Sequence, residues 1–141
     1  MRRSMMRGIL LCAILALTPA CGDTTVGPQP TPTPVTDPFT GTLATNGAFT
    51  HTFSVSAAGS VTATLTTVAP DATVAVGFQL GTFNTINSTC SAVISNDAAL
   101  QGAVETATAQ TAGTYCVRIY DAAGTVKADT PVNYTITVVH P

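Results

Sequence analysis

Side chains able to do acid–base or nucleophilic chemistry are few in this 141-residue chain. His51 and His140 are the only imidazoles, the groups whose ordinary pKa lies nearest neutrality. His51 shares an alternating stripe with Phe49 and Phe53, which predicts a buried or half-buried histidine with one hydrogen bond. His140 lies beside the end of the sequence, where catalytic geometry is hard to hold. Glu105 is the single glutamate, and acid–base catalysis by carboxylates needs a placed pair. The serines lack the Gly-x-Ser-x-Gly elbow of a hydrolase nucleophile. Glycine-rich phosphate loops and paired-histidine metal motifs are missing from the sequence too. These residue types predict a non-catalytic protein.

Binding chemistry leaves a few candidates. Asp71, Asp97, Asp121 and Asp129 could offer carboxylates to calcium, with loop carbonyls as further oxygen ligands. No Asp-x-Asp spacing gathers them, so solvated turn aspartates are the simpler expectation, and no other metal or cofactor is expected. Tyr120 falls on the outward side of its alternating run. With the segment from Gly81 to Cys90 it is a candidate contact for a glycan, a wall polymer or a surface protein. Asn87-Ser88-Thr89 and Asn133-Tyr134-Thr135 match the acceptor pattern for N-glycosylation, a match expected to be accidental.

Cys90 and Cys116 are the remaining reactive pair. Two cysteines without neighbouring histidines make a poor zinc site. In an oxidising compartment the expectation is a disulfide, which would contribute roughly 3–4 kcal/mol by restricting the unfolded chain. Cys116 lies out of phase with Tyr115, Val117 and Ile119, so it is expected on the outer face of its strand. The bridge would then pin an irregular segment, Gly81 to Asn96, against the domain.

The start of the chain supplies that compartment. Arg2, Arg3 and Arg7 precede a short apolar run, Ile9 to Leu17, and Ala20-Cys21 follows. The apolar run is about half of the ~20 residues a membrane-spanning helix needs, and the layout is that of a cleaved secretory leader. Thr18-Pro19-Ala20-Cys21 resembles the bacterial lipoprotein signal in Ala20 and Cys21 and departs from it at Thr18 and Pro19. The resemblance implies a leader at 1–20 and an acylated Cys21 anchored in the membrane. Gly22 and Asp23 after the cysteine imply the outer membrane, where the cell has one. Cys12 would leave with the leader.

Residues 21–38 read as a tether. Pro28, Pro30, Pro32 and Pro34 alternate with Gln and Thr, which favours an extended, solvated spacer that joins no ladder. Beyond Cys21 the basic residues are Arg118 and Lys127 alone, so the exported portion is acidic. That balance lacks the basic footprint of nucleic-acid binding and the polybasic patch that recognises anionic lipid.

Residues 39–141 form one domain, long enough for a single core. Period-two stripes recur: Phe49-His51-Phe53-Val55, Val61-Ala63-Leu65, Val74-Val76-Phe78-Leu80, Tyr115-Val117-Ile119 and Val132-Tyr134-Ile136-Val138. Such alternation marks strands with one buried and one wet face, which favours antiparallel pairing. Further strands are expected at Phe39 to Ala44, near Ala92 to Ser95, and within Leu100 to Ala109. Asn46-Gly47 is a hairpin signal. Ala58-Gly59, Ala112-Gly113 and Asp121 to Gly124 supply other turns. The expected fold is an all-β antiparallel sandwich of about seven to nine strands.

Particular segments sharpen this expectation. Phe39-Thr40-Gly41-Thr42-Leu43, Phe53-Ser54-Val55 and Gly59-Ser60-Val61 resemble bacterial pre-peptidase C-terminal domains. So do Ala112-Gly113-Thr114-Tyr115-Cys116-Val117-Arg118-Ile119 and Asn133-Tyr134-Thr135-Ile136-Thr137-Val138. The resemblance covers nearly all of 39–141 and implies a jelly-roll-like sandwich that acts as a non-catalytic accessory. In that family some members bind calcium or an insoluble polymer. Here the module is expected to stand alone on its tether, displayed on the cell envelope. The alternatives are a structural envelope lipoprotein without a ligand and an enzyme with an unrecognised site.

Overall fold

A computed structural model describes Gly27 and residues 30–141. The leader at 1–20, Cys21 and most of the early tether lie outside the described residues. The unit from Thr31 to Pro141 holds eight strands. They are β1 (Val35–Leu43), β2 (Ala48–Val55), β3 (Gly59–Ala69), β4 (Val76–Asn84), β5 (Thr89–Ala99), β6 (Val104–Ala109), β7 (Gly113–Tyr120) and β8 (Val132–His140).

The strands form two four-stranded sheets, β1-β8-β3-β6 and β2-β7-β4-β5, with every pairing antiparallel. First pairs with last, second with seventh, third with sixth and fourth with fifth. The chain is thus one long ribbon wrapped into a jelly roll, as the all-β sandwich expectation required. The β4–β5 hairpin is the tip of the ribbon and, among the described residues, the only consecutive pair of strands that shares a ladder.

Alternation places the core. Leu43, Val61, Leu65, Ile136 and Val138 from the first sheet face Phe53, Phe78, Leu80, Val117 and Ile119 from the second, all buried. Each buried side chain of this size contributes on the order of 1.5–3 kcal/mol relative to exposure. Val126, in the loop between β7 and β8, is also buried; one apolar residue in a loop leaves no periodic signature. Phe49 starts the β2 stripe, yet it is 46% exposed because it lies near the end of an edge strand.

Three expectations are corrected. The ladder begins at Val35, so Val35-Thr36-Asp37-Pro38 pairs with β8 and does not belong to the spacer. β1 is an edge strand, the setting in which a sheet tolerates a proline such as Pro38. Asn46-Gly47 forms a tight turn, with Asn46 at φ 54° and the Gly47 N–H donating to Ala44 O at 2.9 Å. The flanking strands nonetheless enter opposite sheets, so the turn is a corner between sheets rather than a hairpin. Finally, Gly81 to Asn96 is part of the β4–β5 hairpin, laddered along its strands apart from one bulge, rather than an irregular segment.

Candidate functional site

The outer face of the second sheet gathers most of the binding candidates. On the central strand β4, Gly77, Gln79 and Gly81 alternate along this face. They stand opposite Tyr120, Arg118 and Cys116 of β7. Two side groups of β7 reach across β4 at its glycines. The Tyr120 ring lies so close over Gly77 that a Cβ there would collide with it. Its hydroxyl donates to Asp97 Oδ1 on β5. This bond and burial hold the Tyr120 phenol above its usual pKa.

The second crossing is the Cys90–Cys116 disulfide, with Cα atoms 5.9 Å apart. It joins β5 to β7, strands separated in the sheet by β4. Gly81 makes the crossing possible, since a Cβ at this position would strike the Ser91 carbonyl. Two register shifts each give β5 an extra residue, and such bulges bend a strand. Cys116 has the outward phase expected of it but is fully buried, because the bent hairpin covers it.

Arg118 lies between the crossings. Its guanidinium carbon stands 4.8 Å from the centre of the Tyr120 ring, a cation–π contact that fixes its direction. Beside it, buried Gln79 donates from Nε2 to Cys90 O at 3.3 Å. Arg118, Thr50, Ser88, Thr89 and Cys90 line an open pocket of about 270 Å³. The hairpin tip forming one wall is internally braced. Asn84 Oδ1 accepts the Ile86 N–H at 2.9 Å and Asn87 Oδ1 accepts the Thr89 hydroxyl at 2.6 Å. Ile86, at the tip, is 95% exposed. Among the described residues no carboxylate forms an ion pair with Arg118.

A larger cleft of about 350 Å³ opens between β6 and β4 and includes Val61, Leu80, Ala107, Ala109 and Tyr115. Its lining contains no acidic, basic or histidine side chain. It continues the core and has little to orient a polar ligand.

The remaining chemistry is used locally. His51 Nε2 lies 2.9 Å from the Tyr134 hydroxyl, and its ring stacks on Phe39 at 5.0 Å. Of the buried and half-buried alternatives the stripe allowed, the structure has the half-buried one, with a single side-chain hydrogen bond. Burial lowers its pKa and raises that of Tyr134. His140 is buried, with Nε2 3.1 Å from Asp37 Oδ2 and Nδ1 3.0 Å from Pro141 O. Glu105 points inward from edge strand β6, opposite Ala63. Burial raises its pKa.

The aspartates sit apart. Asp71 binds the backbone and hydroxyl of Thr73, which lower its pKa. Asp97 serves Tyr120, and Asp129 accepts the Thr130 hydroxyl at 3.4 Å. Asp121 accepts N–H groups of Asn46 and Thr125 at 2.9 Å each. Burial opposes ionisation of Asp121, but the backbone N–H groups outweigh it and lower the pKa. Among the described residues no three His, Cys, Asp or Glu side chains converge to hold a metal ion. Of the two acceptor-pattern asparagines, Asn87 braces the tip and Asn133 Oδ1 accepts the Thr42 hydroxyl at 2.7 Å.

The structure therefore brings Tyr120, Asp97 and Cys90 of the sequence candidates to one face, and scatters Asp71, Asp121 and Asp129. Arg118, Thr50 and Gln79 were missed. The available signal was a lone arginine on the wet side of a strand. No family model matches the chain, and comparison with curated proteins finds no match.

Proposed function

We propose that this protein is a non-catalytic envelope module, exported, fixed to the membrane through acylated Cys21, and holding a glycan or wall polymer on the outer face of its second sheet. The observation behind this reading is the Arg118 pocket. It places a cation that has no ion-pair partner among the described residues beside three hydroxyls and beneath a covalently fixed hairpin. A bridged cysteine pair suits an oxidising compartment, and the sandwich is the fold implied by the pre-peptidase C-terminal resemblance. The accessory role of that family is carried over here as the proposed role.

Two measurements test it. Palmitate labelling should mark the exported protein and vanish in Cys21→Ser. A glycan array and sedimentation with isolated envelope polymers should show retention that depends on the native fold. Unlabelled protein in the cytosol would overturn export and anchoring, and a blank array with no polymer retention would overturn binding. The second reading, a structural lipoprotein without a ligand, draws on the first sheet, whose outer face presents uncharged rows such as Thr40, Thr62, Thr106, Thr135 and Thr137.

A further inference from the structure

We propose that the Arg118 pocket receives the carboxylate of a single acidic sugar. The inference deepens the binding reading above and rests on it. A guanidinium presents a planar fork of N–H donors that matches a carboxylate bidentately. Here the fork is oriented in advance by the Tyr120 ring, and Tyr120 is fixed through its hydroxyl to Asp97. Asp97 is thereby occupied by a tyrosine instead of pairing with the arginine, and the guanidinium remains available.

The rest of the pocket selects what accompanies the carboxylate. Thr50 and Ser88 supply hydroxyls that both donate and accept, and the Thr89 hydroxyl, whose proton goes to Asn87 Oδ1, still accepts, as the hydroxyls of a sugar require. The volume of about 270 Å³ suits one ring rather than an extended chain. Charge sets the number of anionic groups. The exported portion has two basic residues, and Lys127 lies in the separate β7–β8 loop. One cation in an acidic domain favours an isolated carboxylate and disfavours a polyanion. The disulfide belongs to the site because Cys90 forms part of the wall.

The test is a heteronuclear NMR titration of the full exported protein, purified with its disulfide formed, using galacturonate, galactose and acetate as probes. Galacturonate should shift the Arg118 side chain together with the Ser88 and Thr89 amides. Galactose should leave all three unmoved, and acetate should move Arg118 alone. Arg118→Gln should weaken galacturonate binding by about tenfold or more, while Lys127→Gln leaves it unchanged. Unaltered binding by Arg118→Gln overturns the proposal, as does the absence of any shift with galacturonate. Acetate acting on the same residues as strongly as galacturonate overturns the sugar assignment. Retention of neutral glycans by both wild type and Arg118→Gln would overturn this inference and leave the broader binding reading standing. A blank glycan array together with a blank titration would end both.

Discussion

Cys90 and Cys116 join β5 to β7 across β4, two strands that share no ladder. Most of β5 is exposed, so the hairpin tip gains little from the core. The 26-residue separation places the bridge where a covalent link substitutes for burial. Cys90→Ser/Cys116→Ser is expected to lose about 2–4 kcal/mol in urea unfolding, with amide exchange accelerating first in β5. Peptide mass mapping with and without reductant should show the two-proton difference on a Cys90–Cys116 pair. Equal stability of the two proteins would show that the bridge adds nothing.

Gly81 is expected to resist any side chain. Gly81→Ala drives a methyl group into the Ser91 carbonyl, a backbone atom that cannot rotate aside. The cost should be about 1–3 kcal/mol, and the disulfide should form more slowly on refolding. Thermal unfolding and thiol trapping measure the two effects. Gly124→Ala, with nothing within contact distance but φ at +65°, should show only the cost of its backbone conformation.

His51 gives the fold a defined response to acid. Burial holds its folded pKa below the ordinary imidazole value of about 6.5. The unfolded chain therefore takes up this proton first as pH falls. Stability from this group is full above about pH 6.5 and declines below it towards the folded value. His51→Gln keeps a polar partner for Tyr134 and should remove that part of the slope. Denaturant midpoints of the two proteins at several pH values check it, and parallel curves would sink the assignment.

Glu105 should act in the opposite sense. Its folded pKa is raised by burial, so its contribution is greatest below the ordinary glutamate value of about 4.3 and is lost as pH rises through the folded value. Glu105→Gln is expected to stabilise the protein at pH 7 by on the order of 0.5 kcal/mol, with no advantage in acid. The same change removes an inward charge from an edge strand, a device against edge-to-edge pairing. Light scattering of the variant should therefore rise with concentration.

Asp121 ties the β7–β8 loop to the corner between β1 and β2 through Asn46. Asp121→Ala should cost about 1–2 kcal/mol, read as a lower urea midpoint. Because the four aspartates are spread over the β3–β4 loop (Asp71), β5 (Asp97) and the β7–β8 loop (Asp121 and Asp129), a chelator should leave the melting temperature unchanged. A fall on chelation, restored by calcium, would contradict that placement.

The sandwich was legible because its stripes are long. Val61-Ala63-Leu65 and Tyr134-Ile136-Val138 alternate without interruption and face the core as expected. Pairing was less legible. A turn such as Asn46-Gly47 looks the same whether the chain doubles back or crosses between sheets, and only long-range contacts decide. The start of β1 at Val35 was hidden by Pro38, which an edge position tolerates. The pocket was least legible. Thr50, Ser88 and Arg118 come from distant parts of the chain, and their meeting depends on β5 bending over Gly81, which depends on backbone bulges rather than residue type. Even so, glycines two turns of alternation apart on one strand, Gly77 and Gly81, were a readable sign that something passes closely over that face.

The two broad surfaces of the sandwich will answer differently to ionic strength. The threonine-rich outer face of the first sheet presents no ionisable side chain, so whatever adheres there should be indifferent to added electrolyte. Attachment at Arg118 should weaken steadily as salt is raised. A single salt titration of any retained material can therefore tell which side of the molecule is holding it.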